Sequence, residues 1–212
     1  MVRWVDKNIM ALSRRHLLGG GGALALSFFG PTSKGLAALP ALSENPDPRL
    51  LRRALDALDR HRGAIRYRDV MGIVDFGQAS HVPRFHILDL ISGRHFSHLV
   101  AHGRGSDPDH SGWVRRLSNA PGSAASSGGA YLVGEDYYGR HGRSRRLIGL
   151  DPENSNAEVR RIVIHAAGYV SPAIARDGKL GRSEGCLAVA QADIAQVLER
   201  LGPGRMIYAA KL

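Results

Sequence analysis

The chain has a single cysteine, Cys186, which lies in the sequence Ser-Glu-Gly-Cys at positions 183–186. Twenty-one residues upstream, His165 follows the apolar run 162–164, a pattern typical of a short buried strand. A cysteine is nucleophilic as its thiolate, and a nearby histidine can remove the thiol proton or lower the thiol pKa. We therefore interpret Cys186 as a candidate nucleophile and His165 as its candidate base.

The residues around Cys186 indicate how an acyl-transfer site would be completed. Such a reaction needs hydrogen-bond donors for the developing oxyanion. The backbone N–H groups of Gly185 and Cys186 are candidates, because glycine lets the chain turn tightly. Arg182 and Ser183 come just before this turn, and they are candidates either for orienting a substrate or for bracing the turn.

The composition favours a loop-rich fold of short strands. The 212 residues include 26 glycines and only 6% aromatic residues, and 43% of the chain is hydrophobic. This length allows one domain with a leader, or one large β domain. The net charge of +10 indicates either an anionic partner or an arginine-rich solvated surface. Nucleic acid is disfavoured, because the chain has no ribonucleoprotein, zinc-finger or helix-turn-helix pattern.

Residues 1–37 are interpreted as an export signal that is removed. Residues 13–18 read Ser-Arg-Arg-His-Leu-Leu, the form of a twin-arginine signal, and a weakly apolar, glycine-containing stretch continues to residue 30. That stretch is short for a membrane span, and Gly35-Leu36-Ala37 is a candidate cleavage site. We therefore expect export by the twin-arginine machinery to the periplasm or cell envelope, with no stable membrane span after cleavage. An uncleaved amphipathic anchor is the alternative.

Residues 38–64 are interpreted as a linker followed by a helix, and residues 65–212 as the main domain. Asp47 is suited to cap this helix and Pro48 to its first position. From residue 65 the apolar period shortens towards two, which predicts strands. These many short strands, with few helices, predict a mostly β sandwich or barrel. The predicted strands are 70–76, 84–90, 95–101, 131–133, 145–150, 160–165, 186–189 and 205–210, with a second helix at 191–201 and an irregular polar stretch at 102–129.

Around His165 and Cys186 the chain resembles the L,D-transpeptidases of bacterial cell walls, the YkuD-like family. The family hallmark is a strand that ends in Ile-His-Gly, followed by Ser-His-Gly-Cys. Here the corresponding segments are Ile-His-Ala at 164–166 and Ser-Glu-Gly-Cys at 183–186. The chain is most similar to the subgroup of murein L,D-transpeptidase catalytic domain proteins, and the resemblance extends from about Arg68 to the C-terminus. Further matching segments are Val-Ala-His-Gly at 100–103, Ser-Ser at 126–127 and Tyr-Val-Ser at 169–171.

This resemblance implies a mostly β, YkuD-like β-sandwich with a few peripheral helices at 65–212, and it implies no cofactor. It assigns the backbone carbonyl of Ala166 to holding the tautomer of the histidine, as the third group of a triad does. It also implies that Tyr169, Tyr131 and His141 line the substrate groove. Two motif positions depart from the family pattern, because Glu184 replaces the usual histidine and Ala166 the usual glycine.

The reaction implied by the resemblance is acyl transfer on peptidoglycan stem peptides. Cys186 would attack the diaminopimelate carbonyl that precedes a terminal D-alanine, and D-alanine would leave a thioester behind. An amine from a neighbouring stem would then give a 3-3 crosslink. Water as the acceptor would make the protein an L,D-carboxypeptidase instead, and sequence does not distinguish the two.

Other classes of protein remain open. A zinc hydrolase could use His98 and His102, which would share one face of a strand near His95, although a His-Glu-x-x-His motif is absent. A non-catalytic wall-binding module is compatible with Glu184 at a position where the family commonly has histidine. A sortase is disfavoured, because its Leu-x-Thr-Cys strand is missing.

Overall fold

A computed structural model of the chain describes residues 45–212, so the interpreted export signal and its boundary lie outside the described residues. These residues form nine strands and three α-helices, which confirms the prediction of a mostly β fold. The elements are α1 Pro48–Arg60, β1 Val70–Asp75, β2 Phe85–Asp89, β3 His95–His98, β4 Val100–Ala101, β5 Gly129–Gly139, β6 Gly142–Gly149, β7 Val163–Ala166, α2 Pro172–Ala175, β8 Leu187–Val189, α3 Ile194–Arg200 and β9 Met206–Ala210.

Helix α1 begins where the sequence predicts. The Asp47 side chain caps it by accepting a hydrogen bond of 2.7 Å from the backbone N–H of Arg49, and Pro48 occupies the first position. Its apolar face packs on the sheet, because Leu50 and Ala54 are fully buried in a cluster with residues of β1 and β9. The helix is thus attached to the sheet by ordinary hydrophobic burial.

The strands form one continuous sheet in the order β3-β2-β1-β9-β5-β6-β7-β8-β4. The pairs β1–β9 and β7–β8 are parallel, and the other neighbouring pairs are antiparallel. The edge strands β3 and β4 are consecutive in the chain and are separated by Leu99 alone, so the sheet must curl until its two edges meet. This joint divides the single strand predicted at 95–101. The enclosed core includes Phe85, Tyr131, Leu147 and Ile164, all nearly inaccessible to solvent.

The hairpin of β5 and β6 is longer than the sequence predicts. β5 was expected at 131–133, but it continues to Gly139 beyond a register shift between Val133 and Asp136. This outer part is exposed and polar, so it lacks the apolar alternation that identifies a half-buried strand. It is stabilised across the strands instead, because Arg143 and Arg145 both donate to the carboxylate of Asp136.

The polar stretch predicted to be irregular is confirmed as such. Between β4 and β5 the described chain has only one short 3₁₀ turn, Arg104–Ser106. Its polar groups are satisfied internally: the N–H of Gly103 donates to Ser126 Oγ at 3.0 Å, and the N–H of Ser126 donates to Ser106 Oγ at 2.9 Å. The stretch is therefore ordered by buried hydrogen bonds in place of a ladder.

Candidate active site

The parallel pairing of β7 and β8 brings the two chemically reactive residues to one place. His165 lies opposite Ala188 and Ile164 opposite Leu187, so the same register puts Cys186 opposite Val163. Side chains alternate along a strand, and residues 163 and 165 therefore share a face. Cys186 and Val163 both line a cavity of about 810 Å³, whereas Ile164 and Leu187 face the core. The sheet thus places His165 on β7 and Cys186 immediately before β8, with both side chains towards the same side.

The surroundings of the Cys186 thiol favour its protonated form. The side chain is half-buried, and its Sγ lies 3.7 Å from the backbone carbonyl oxygen of Arg161. Burial raises the pKa of the Cys186 thiol, and this exceeds the opposing effects of the backbone N–H of Val163 and the guanidinium of Arg160. A carbonyl oxygen accepts hydrogen bonds only, so the thiol donates to Arg161.

The imidazole of His165 is held in one tautomer, and its burial favours the neutral form. It is 3% exposed, and its Nδ1 lies 2.9 Å from the carbonyl oxygen of Ala166. Nδ1 must carry the proton in this contact, which leaves Nε2 free to accept one. Burial lowers the pKa of His165, and the nearby His141 and Arg140 lower it further. Burial thus shifts both pKa values towards the neutral forms, down for the imidazole and up for the thiol, which corresponds to the histidine acting by removing the thiol proton.

His141 lies at the tip of the β5–β6 hairpin and covers His165. The two rings stack with their centroids 4.2 Å apart and their planes inclined by 25°. The Nε of Arg140 donates to Nε2 of His141 at 2.9 Å, and burial together with Arg140 lowers the pKa of His141. His141 also lines the cavity, as expected for a groove residue.

The turn that carries Cys186 is closed by Ser183. Its hydroxyl donates to the carbonyl oxygen of Cys186 at 2.7 Å and accepts from the N–H of Gly185 at 3.1 Å. The N–H of Gly185, expected as an oxyanion donor, is therefore occupied inside the turn. Gly185 has φ of 120°, and a Cβ there would lie 2.7 Å from the carbonyl oxygen of Ala125. Glycine is required at this position by both conformation and space.

Residues of the irregular stretch hold this turn from outside. The N–H of Ser183 donates to the carbonyl of His102 at 2.9 Å, and the N–H of Arg104 donates to the carbonyl of Ser183 at 2.8 Å. Arg182 reaches away from the cavity and donates to the carbonyl oxygens of Asp107 and Pro108. Of the two roles open for Arg182 and Ser183, the contacts correspond to bracing the turn.

A buried polar network lies behind these contacts. The guanidinium of Arg84, with no exposed surface, donates to Nδ1 of His102 at 2.7 Å. Nε2 of His102 then donates to the buried carboxylate of Asp107 at 3.3 Å. Desolvation lowers the pKa of Arg84 to about 9 and that of His102 to about 4. Each member satisfies the next, so the segment that braces the turn is itself fixed in the interior.

The two tyrosines that the resemblance assigns to the groove are not among the residues that line this cavity. Tyr131 is 2% exposed in the core, and its hydroxyl donates to the carbonyl of Ser127 at 3.0 Å. Burial raises the pKa of Tyr131 to about 12. Tyr169 is half-buried in a satellite cluster beside α2, where burial and the nearby Cys186 raise its pKa to about 12. Tyr131 therefore belongs to the core, and Tyr169 packs in the satellite cluster, outside the set of residues that line the cavity.

Sequence reasoning missed the arginines of the cavity wall. Arg140, Arg146, Arg160 and Arg161 line it, together with Glu158 and Glu184. The chain is rich in arginine throughout, so neither composition nor periodicity identifies these four. Their convergence depends on how the β5–β6 hairpin folds across the start of β7.

The histidines of the zinc hypothesis are dispersed among other partners. Nδ1 of His98 lies 3.4 Å from Asp193, and His102 lies between Arg84 and Asp107. Within residues 45–212, no three His, Cys, Asp or Glu side chains are grouped to hold a metal ion. Across the same residues, no helix has the length and apolar character needed to cross a bilayer.

The fold and the site together define a mostly β domain in which a main-chain-bound histidine lies on one parallel strand and a cysteine directly precedes the neighbouring one. The family model for the L,D-transpeptidase catalytic domain matches residues 43–210. The chain belongs to this family.

The chain is also similar to solved structures of L,D-transpeptidases at low identity. One from Mycobacterium smegmatis is 12% identical, with a TM-score of 0.42, over 67% of this chain and 58% of that chain. L,D-transpeptidase 3 from Mycobacterium tuberculosis is 13% identical, with a TM-score of 0.44, over 67% and 61%. One from Xylanimonas cellulosilytica is 15% identical, with a TM-score of 0.40, over 74% and 69%. This chain thus spans about three fifths of the length of the first two. No curated protein sequence matches it.

Proposed function

We propose that this protein is an exported L,D-transpeptidase that acts on peptidoglycan stem peptides through a thioester on Cys186. The observation that carries the proposal is the pairing of β7 with β8, which puts the carbonyl-bound His165 on β7 close to Cys186, the cavity-lining residue just before β8. Membership of the L,D-transpeptidase catalytic domain family supports the same reaction class.

The first half-reaction starts from neutral partners. Nε2 of His165 removes the thiol proton as Sγ of Cys186 attacks the diaminopimelate carbonyl carbon before the terminal D-alanine. The carbon–nitrogen bond then breaks, and His165 returns the proton to the departing amine of D-alanine. A thioester remains on Cys186. Because the N–H of Gly185 is occupied by Ser183, the N–H of Cys186 is the candidate donor to the oxyanion.

The acyl acceptor in the second half-reaction decides whether the protein acts as a transpeptidase or as a carboxypeptidase. An amine of a neighbouring stem attacks the thioester, His165 removes the amine proton, and the departing thiolate takes that proton back. The product is a 3-3 crosslink. Water in place of the amine gives L,D-carboxypeptidase activity through the same steps. Both reactions use the same residues. The two reactions differ only in which acceptor reaches the thioester.

The proposed location follows from the leader. The twin-arginine pattern at 13–18 supports export to the periplasm or cell envelope, where the stem peptides are found. Removal of residues 1–37, with five Lys or Arg residues and one Asp, changes the net charge from +10 to +6, and this basic charge suits a carboxylate-rich wall polymer. Localisation of a reporter fused after residue 37, compared with a variant in which both arginines of the pattern are lysine, tests this part separately.

Incubation with disaccharide tetrapeptide and mass spectrometry tests the reaction. We expect loss of D-alanine and a crosslinked dimer with the wild-type protein, and neither product with Cys186→Ala. His165→Gln should reduce both, while Tyr138→Ala, an exposed change on the hairpin, should leave them intact. Product formation by Cys186→Ala would overturn the assignment. Retained binding to sacculi with no product from the wild-type protein would favour a wall-binding module.

A further inference from the structure

Three arginines of the cavity wall lack an acidic partner. The guanidinium of Arg160 is used within the fold, where it donates to the carbonyls of Ser118 and Ala125 and to Ser127 Oγ. Arg140, Arg146 and Arg161 are exposed on the same wall. Among residues 45–212, none of these three has a carboxylate within 4.0 Å. The cavity therefore presents guanidinium groups that the protein itself does not neutralise.

Neighbouring arginines on the same elements behave differently. Arg143 and Arg145 precede Arg146 on the same strand, β6. Both of them form ion pairs with Asp136. Glu184, which lines the cavity, is already paired with Arg104 through two contacts of 2.8 and 3.1 Å. Glu158 leaves one further negative charge on the wall. Four arginines against two glutamates, one of them neutralised by Arg104, give the cavity a net positive charge.

Arg140 lies close enough to the reacting groups for its charge to act on them. It opposes the rise in the pKa of Cys186 that burial causes, and it adds to the lowering of the pKa of His165 by burial and of Glu184 by Arg104. Arg146 lies over the ring of Tyr137 with its guanidinium carbon 5.1 Å from the ring centroid, which holds it against the wall. The positive wall is therefore part of the space in which an acyl donor would lie.

Arg161 has a second connection to the nucleophile. Its φ is 55°, in the left-handed region that non-glycine residues seldom occupy. This conformation accompanies the contact between its carbonyl oxygen and Sγ of Cys186, while its side chain lines the cavity. Such backbone strain is concentrated at functional sites. One residue thus contacts the thiol through its backbone and adds charge to the wall through its side chain.

We propose that Arg140, Arg146 and Arg161 form a subsite for the free carboxylates of the acyl-donor peptide. Guanidinium groups match carboxylates with two parallel hydrogen bonds, and such charge-assisted pairs are stronger than neutral ones. The identity of the donor as a stem peptide rests on the proposed function, but the selectivity of the cavity for anions does not. A donor whose carboxylates are amidated loses these contacts and binds more weakly.

Alkylation of Cys186 measures the charge of the cavity without any peptide. Cys186 is the only cysteine of the chain, so every thiol adduct reports on this site. The rate with anionic iodoacetate is divided by the rate with neutral iodoacetamide, and the ratio is compared with that of glutathione. We expect a higher ratio for the protein, and a fall of about three- to fivefold in Arg140→Gln or Arg161→Gln. Added salt should lower the ratio as well.

Arg143→Gln is the matched control for the alkylation experiment. It removes the same charge from the same hairpin, but from an arginine already paired with Asp136 outside the cavity lining. Its ratio should equal that of the wild-type protein. A wild-type ratio no higher than that of glutathione, or an equal fall in all three variants, would overturn the proposed subsite.

Turnover of matched donors then tests which carboxylates are bound. Tetrapeptides with free and with amidated diaminopimelate carboxylates are compared in the wild-type protein and in Arg161→Gln. We expect kcat/KM for the free acid to fall about tenfold through KM, and that for the amide to stay nearly constant. An equal fall for both donors refutes the subsite but leaves the transpeptidase intact. No turnover of either donor by the wild-type protein refutes the proposed function, while the alkylation ratio still decides the charge selectivity of the cavity.

Discussion

His141 stacks on His165, with 4.2 Å between the ring centroids, so the turn of an exposed hairpin covers one face of the imidazole ring of the candidate base. The hairpin contributes in two ways, because it excludes water from His165 and adds the positive field of Arg140. Both effects lower the pKa of His165 and favour its neutral form. The turn of the β5–β6 hairpin is therefore coupled to the pKa of a residue in β7.

Removal of the stacked ring should shift the acid limb of the reaction. In His141→Ala, His165 becomes better hydrated and loses the repulsion from His141, so its pKa rises. A base with a higher pKa is protonated at higher pH. The acid limb of the profile of kcat/KM, or of Cys186 alkylation, should therefore move to higher pH. Tyr138→Ala, on the same hairpin and 73% exposed, should leave the profile in place; a shift in both variants would contradict the role of the ring.

Loss of the Ser183 hydroxyl should destabilise the turn that carries Cys186. Ser183→Ala leaves the N–H of Gly185 and the carbonyl of Cys186 without their partner in a site that is 6% exposed. Unsatisfied buried groups of this kind cost about 1–3 kcal/mol in the free energy of unfolding. Urea denaturation measures the change. Ser92→Ala, in an exposed turn, should change it by less than about 0.5 kcal/mol, and similar losses in the two variants would argue against a bracing role for Ser183.

The buried histidine behind the turn should make stability depend on pH. The pKa of His102 is lowered to about 4 in the folded protein, against 6.5 for the free side chain. The unfolded chain therefore binds more protons between these values, and stability decreases as the pH falls from about 6.5 to about 4. His102 contributes a loss of about 3 kcal/mol over this window.

Denaturation at several pH values checks this dependence. The free energy of unfolding of the wild-type protein should decrease steadily between pH 6.5 and 4. His102→Gln should show a shallower slope, even if it is less stable at pH 7. The slope depends on the difference in bound protons between the unfolded and folded states, whereas lost packing lowers the stability at every pH. His86, with its pKa lowered to about 4 by burial, retains its share of the slope in that variant. A wild-type stability that is constant across the window would exclude the effect.

Glu184, where the family commonly has histidine, should act on the charge of the cavity and hardly on stability. Glu184 and Arg104 are each about 60% exposed, and exposed ion pairs contribute little. Glu184→Gln should therefore leave the melting temperature nearly unchanged and should accelerate alkylation of Cys186 by iodoacetate relative to iodoacetamide. Glu199→Gln makes the same charge change on exposed α3, and it should have no effect on this ratio. Equal effects of the two variants would mean that the alkylation ratio depends on the net charge of the protein and not on the position of Glu184 at the cavity.

Local patterns predicted those parts of the fold that depend on local physics. Asp47 and Pro48 mark the start of α1 because a side-chain cap and a fixed φ act within one turn. The apolar run before His165 is a strand, although it begins at Val163 and not at residue 160. Arg160 and Arg161 instead form the turn before it, where the positive φ of Arg161 cannot be derived from residue type.

Other features depend on which of two faces a chain segment turns inward. Tyr131 lies between Ala130 and Leu132, so all three residues are apolar and no alternation indicates the direction of the ring. The structure directs it into the core. Similarly, the N–H of Gly185 could serve an oxyanion or the turn, and the position of Ser183 Oγ decides between them. Tertiary packing settles such choices, and it acts between residues far apart in sequence.

The single residue between β3 and β4 has a consequence for how this domain can vary. Leu99 joins the two edges of the sheet, and β4 leads directly to His102 and to the parallel bridge between Gly103 and Ser183. An insertion or deletion at this joint would displace β4 along β8 by one position and reverse which of its side chains face inward. The position of His102 and Gly103 relative to Cys186 would change with it. Relatives of this chain should therefore tolerate length changes in the β5–β6 hairpin far better than between β3 and β4.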